Sequence, residues 1–350
     1  MKKIVVYLLL MCVLLGLPLF CGYAEENQGY QFSVDIIAPA NQIDQKGYYH
    51  IPGKPGEQIT LQAQLTNQTD HSLDVKMVPM NAYSSQTGIF YQNPSEVNVQ
   101  KYPLLDDRYG LTSYMTVPDV ITLTPKQTQT VQFSVAVPQL REGTLLGCIR
   151  FVAFAGTQDL QKSSDQNGTQ LLIDKYQAID IAVQIDLPYA VLPALSVGDP
   201  VFDGDKTGVC IQIMNTAALL QKNITGTYAI LDQQNTVVFS GDMQTLKMAP
   251  LSAFQYVIPW QGSTLEAAKY KLSLTFHKDD LDFSFDRPFT INSSGVIIAK
   301  QAQQQNSPEI KTSHQNWYEV AFELSILLLI FLFIRHLKLR GKPKSGSQPF

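Results

Sequence analysis

The sequence predicts an all-β chain: two β-sandwiches in tandem, followed by a single C-terminal transmembrane helix. Three observations predict it. Apolar and polar residues alternate at period two along most of the chain, clusters of Pro, Gly and Asn break the runs at short intervals, and only two stretches, one at each end, are continuously apolar. The 350 residues are about two domains' worth of chain. With 45% hydrophobic and 16% charged residues, the chain has enough apolar side chain for packed cores and too little charge for a disordered acidic polymer.

The N-terminus reads as a secretory signal peptide, 1–24. Lys2 and Lys3 precede an apolar run from Ile4 to Phe20, and the small residues Gly22 and Ala24 fit a cleavage after Ala24. Cys21 does not read as a lipid attachment site, because Phe20 stands where a small residue is needed.

Between the ends, period-two runs mark strands with one buried and one wet face. Ile59, Leu61, Ala63 and Leu65 alternate with Thr60, Gln62, Gln64 and Thr66. Val131 to Val137, Ile179 to Leu187, Val209 to Ile213 and Phe254 to Trp260 repeat the pattern. Pro55-Gly56, Asn67, Pro125, Asp203-Gly204-Asp205, Asn235, Pro250 and Gly262 punctuate them. Only Thr264–Lys269 hints at a helical turn.

The two halves echo each other. PGEQITLQAQLTNQT and GDKTGVCIQIMNTA are each a turn, an alternating strand and an Asn exit; LTPKQTQTVQFSVAVP and MAPLSAFQYVIPW each lead through Pro into a strand closed by Pro. Two immunoglobulin-like sandwiches of similar topology follow, at 30–157 and 166–299. The polar stretch Gln158–Thr169 separates them in composition, or is a long hairpin loop whose following strand still pairs with the first domain. A Gln-, Asn- and Ser-rich stalk, 300–316, follows.

The second apolar run, 317–334, spans roughly 27 Å as a helix, close to a bilayer core. Trp317 and Tyr318 suit the interface, and the basic tail, 335–350, would lie in the cytoplasm. Glu319 and Glu323 fall at its outer end. The expected localisation is a single-pass membrane protein with its body outside and associated with the cell wall.

The net charge of −4 hides an asymmetry. Seven of the 26 basic residues lie in the two ends, leaving 19 against 30 acids, about −11, in the remainder. A nucleic-acid partner is excluded on that ground.

Catalytic and metal signatures are not found. The five histidines stand apart from one another and from Cys at metal-ligand spacing. There is no G-x-S-x-G, P-loop or G-x-G-x-x-G. Asp279, Asp280, Asp282 and Asp286 read as a hairpin turn with acids on a wet face rather than as a calcium loop. Neither enzyme activity nor a cofactor is expected. Cys148 and Cys210 lie in predicted strands of different domains; two separately buried thiols and one disulfide are both open.

The aromatic residues of the first half offer a candidate binding surface. Tyr83, Phe90, Tyr91, Tyr102, Tyr109 and Tyr114 fall in the Asn81–Tyr114 excursion, several beside Asn, Asp or Pro. Such rings serve sugar faces and protein interfaces alike, and equally serve as plugs under loops.

The order of YHIPGKPGEQITLQAQLTNQTD, VPDVITLTPKQTQTVQFSVAVP, GTLLGCIRF and KYQAIDIAVQIDLP resembles the WxL-interacting proteins of Gram-positive bacteria. So does VCIQIMNTAALLQKNITGTYAIL, LKMAPLSAFQYVIPW and AAKYKLSLTF, with the apolar run and basic tail after them. The resemblance implies a peptidoglycan-binding domain, then a host-binding domain, with secreted WxL-domain proteins, peptidoglycan and host extracellular proteins as partners. It implies a non-enzymatic cell-surface adaptor; the alternative is a wall-carbohydrate binding module without a dedicated protein partner. Cys148 departs from the family, which more usually has a second Gly there.

Overall fold

The computed structural model describes residues 31–154, 161–164, 170–173, 176–262 and 264–306. They are mostly strand. The first sheet pairs β1 (Phe32–Ile37), β3 (Gln58–Asn67), β8 (Thr128–Ala136) and β6 (Met115–Thr116) in that order. The second runs β2 (Tyr49–Pro52), β12 (Tyr176–Asp186), β9 (Thr144–Phe154), β4 (Leu73–Ser85) and β5 (Gly88–Gln92), with β7 (Val120–Leu123) also on β4. β10 (Gln161–Ser164) and β11 (Gln170–Ile173) form a separate hairpin.

The alternation forms the core between these sheets. Ile59, Leu61, Ala63 and Leu65 of β3 point inward with Val131, Phe133 and Val135 of β8. Facing them are Val75 of β4, Ile149 and Phe151 of β9, and Val183 and Ile185 of β12. Each large aliphatic side chain so buried contributes roughly 1.5–3 kcal/mol. β12 pairs antiparallel with β9 over its whole length and parallel with β2. The strand after the polar stretch thus completes the first core.

A second core lies between another pair of sheets. β15 (Gly208–Asn215) pairs on one edge with β18 (Ser252–Pro259) and on the other with β13 (Leu195–Val197) and β14 (Val201–Asp203). The opposing sheet is β17 (Val237–Met248), β16 (Gln221–Leu231), β19 (Lys269–Lys278) and β20 (Leu281–Thr290). Asp279 and Asp280 form the β19–β20 hairpin turn, Asp279 with φ +52°. Thr264–Lys269 forms no helical turn: Lys269 already opens β19. Cys148 and Cys210 are buried and free.

One α-helix follows, α1 (Ser293–Asn306), so what reads as the start of a polar stalk is helical. Asn292 Oδ1 accepts from the Gly295 amide at 2.7 Å, an N-cap, and Val296 and Ala299 pack inward. The single-pass membrane localisation is corrected by this helix. At 14 residues, about 21 Å long and ending in QAQQQN, it is too short and too polar to span a bilayer core. Among the described residues no helix is long and apolar enough to cross a membrane. The apolar run 317–334, the tail 335–350 and the signal 1–24 lie outside the described residues.

Candidate functional site

The two cores meet through a junction built from buried polar contacts and small residues. At the end of β4, the Ser84 and Ser252 hydroxyls lie 2.5 Å apart, both fully buried. Ser252 donates onward to the Ala249 carbonyl at 2.7 Å, and Ser84 accepts from the Ala249 amide at 2.9 Å. Pro103 and Leu105 exchange backbone bonds with Ala253 and Leu251, extending the β18 edge. The Thr144 amide donates to the Ala218 carbonyl at 2.8 Å. Gly143 beside it has φ +89°, and a Cβ there would lie 2.1 Å from the Ala218 oxygen. Ala82, Leu146 and Ala249 form a small third core at this junction.

Beside the junction opens a cleft of about 480 Å³, between the outer face of the β5, β9 and β12 strands and the start of β16 with the end of β17. Its polar lining includes Lys46, Tyr48, Tyr91, Gln184, Lys222 and Lys247, and among the described residues no carboxylate lines it. A second cavity of about 500 Å³ shares Gln184, Leu220 and Lys222 with it and continues past Asp186 and Tyr189.

Hydrogen bonds fix the lining groups. Arg150 makes a bidentate contact with Asp180, at 2.7 and 2.8 Å, and its Nη2 donates to the Tyr91 carbonyl at 3.3 Å, which pins β5 over β9. Burial pushes the Tyr91 phenol pKa up, keeping it neutral. His50 lies between two carboxylates, with Nε2 2.7 Å from Asp186 and Nδ1 3.3 Å from Asp44. Gln184 and Thr144 donate to Asp186 at 3.1 and 3.0 Å. Asp44 also pairs with Lys46 at 2.8 Å, and the Lys46 hydrogen bond holds its carboxyl below the usual range. Lys222 is half-buried; burial first, then the Lys247 and Lys46 charges, depress its amine pKa. Rings, amide and ammonium groups of this kind bind sugar faces and oxyanions.

The six aromatic residues of the sequence reading do not form one surface. Tyr83 stacks on Phe90 and Phe90 meets Tyr102 edge-to-face, with centroids 5.6 and 4.9 Å apart, and Tyr102 packs against the second core. Tyr109 is buried in the first core and its hydroxyl donates to the Glu142 carbonyl; Tyr114 packs against the same core. Tyr91 alone of the six lines the cleft. Lys46, Gln184, Lys222 and Lys247 carry no sequence signal, because each comes from a different segment and none belongs to a recognisable motif. Among the described residues no group of three or more His, Cys, Asp or Glu is placed to hold a metal.

Residues 32–153 match the model of the WxL Interacting Protein peptidoglycan binding domain, and residues 175–307 that of the WxL Interacting Protein host binding domain. The chain belongs to the WxL-interacting protein family. The cleft draws on both matched regions: Lys46, Tyr48 and Tyr91 come from the first, Gln184, Lys222 and Lys247 from the second. β12 falls in the second match yet pairs into the sheet of the first. No curated protein matches the chain. Among solved structures, the YadV chaperone is 10% identical, with 75% of this chain and all of that one covered at a TM-score of 0.31. The class 5 fimbriae chaperone CfaA is 11% identical over 73% and 99% of the two chains, TM-score 0.30, and the E. coli chaperone DraB 12% over 75% and 98%, TM-score 0.29. That likeness is too slight to extend any property of those proteins to this chain.

Proposed function

We propose that this protein is a non-enzymatic adaptor of the cell surface, wall-associated, that binds peptidoglycan and holds secreted WxL-domain proteins there. The observation that carries the reading is the pair of family matches, which fall in tandem over 32–153 and 175–307. The two cores correspond on this reading to two immunoglobulin-like sandwiches, divided at about 188–194 after β12 rather than within the polar stretch. Adhesion to a host protein belongs to the second.

Two measurements test it. The purified protein should sediment with insoluble peptidoglycan and capture at least one of a panel of WxL domains in a pull-down. Capture of none across the panel removes the partner assignment. The cleft favours a second reading, a wall-carbohydrate module whose protein partners are incidental: Tyr48 and Tyr91 line it beside polar groups suited to sugars. Loss of sedimentation in Tyr91→Ala with WxL capture intact would support a separate carbohydrate site.

A further inference from the structure

We infer that the cleft between the two cores is an anion site, where Lys46, Lys222 and Lys247 hold an oxyanion carried on a sugar polymer and Tyr48 and Tyr91 take the sugar rings. The inference rests on the wall-binding reading above and deepens it, since it gives half of the site to the region matched as host binding.

Charge distribution is the first support. Away from its two ends the chain has 30 acids against 19 bases, yet among the described residues three lysines and no acid line this cleft. A random draw from that composition favours carboxylates. Pairing is the second. Among the described residues, neither Lys222 nor Lys247 has an acid within ion-pair distance, and the Asp44 partner of Lys46 is shared with His50. Like charges gathered around a half-buried group oppose folding, and a bound anion reverses the sign of that interaction. Burial is the larger cause of the depressed Lys222 amine; the Lys247 and Lys46 charges add to it, and the more distant Asp44 and Asp186 offset part of it.

The kind of charge fits a polymer. Lysines are point charges on flexible stems, without the planar fork that fixes an anion in one orientation. They suit a chain whose anionic groups arrive at variable spacing. The cleft also continues through Gln184, Leu220 and Lys222 into the second cavity, where Asp186 and Asp279 stand with Lys278, so the anionic group is held in the first cavity and the neutral sugars of an extended ligand run on into the second. Two wall chemistries carry such oxyanions, the carboxylates of peptide stems on the glycan and the phosphates of glycan-linked polymers.

The test is co-sedimentation of the full chain with three wall preparations: intact, stripped of phosphate polymers with hydrofluoric acid, and stripped with carboxyls then converted to amides. The double variant Lys222→Gln/Lys247→Gln, shown to melt cooperatively at or above the wild-type temperature, should bind intact walls about tenfold more weakly at low salt. Its affinity should also depend less on salt. Wild-type binding lost on stripping assigns the phosphate; binding kept on stripping and lost on amidation assigns the carboxylate. If the wild type binds walls and the double variant binds equally, the anion site is wrong while the wall-binding reading stands. If the wild type binds no wall, that reading fails, and titration calorimetry with polyphosphate and poly-γ-glutamate decides the site. Lysine-dependent binding of either probe retains it; binding of neither, or binding indifferent to the substitutions, overturns it.

Discussion

Asn67 and Asn215 occupy equivalent places in the two halves and do the same physical job. Each is fully buried at the end of a strand. Asn67 donates to the carbonyls of His71 and Thr124, and Asn215 to those of Leu219 and Ala249, so each ties its own loop to the residue before Pro125 or Pro250. The Asn215 oxygen also accepts from the Ala217 amide and from Gln221. Removing it strands buried partners, each costing roughly 1–3 kcal/mol. Asn215→Ala should therefore lower the unfolding free energy by about 3 kcal/mol, read by urea denaturation, and Asn67→Ala should do the same in its half. The echo of Asn exits and Pro turns was legible because it is local; what the side chains grip was not, because the gripped carbonyls lie 57 and 34 residues away. Lys222 gives a prediction of opposite sign. An amine depressed in the folded state penalises folding fully below its folded pKa, and the penalty is gone above the ordinary 10.5. Lys222→Met should raise the melting temperature of the free protein at pH 7, with the gain fading in alkaline buffer. A lower melting temperature would show that the amine is satisfied as it stands.

At the scale of elements, β12 and α1 separate what pattern reveals from what packing decides. The alternation Ile179–Leu187 marks a strand, but pattern alone does not choose its neighbours. In the fold it pairs with β9 across the intervening hairpin segment and buries Val183, Ile185 and Leu187 in the first core. A fragment of residues 31–157 lacks that strand and should fail to unfold cooperatively by calorimetry or fluorescence; residues 31–192 should show a cooperative transition. Cooperative unfolding of the shorter fragment would mean that β12 is dispensable. α1 failed to show itself because QAQQQN reads as linker composition, whereas the packing of Val296 on the second core and the burial of Ala299 favour helix. The cleft was the least legible feature of all. Its polar residues come from positions 46, 48, 91, 184, 222, 223, 245 and 247, and no single stretch of sequence brings more than two of them together.

For the whole molecule, the junction decides whether the halves behave as one body. Its tightest point is Gly143, where a positive φ and the Ala218 oxygen both exclude a side chain. Gly143→Ala should push the halves apart there, splitting one calorimetric transition into two and weakening any ligand that needs both walls of the cleft. A single, unshifted transition would mean that the junction yields without cost. The pairing of β2 with β12 has a consequence in time as well as in space. Gln184 meets His50 across 134 residues of chain. A chain emerging N-terminus first at about 5–20 residues per second exposes the partnerless Tyr49 and Ile51 for roughly 7–27 s before that strand arrives. For that interval the nascent sheet carries an open, apolar margin, and any chaperone that meets the emerging chain has that margin to shield.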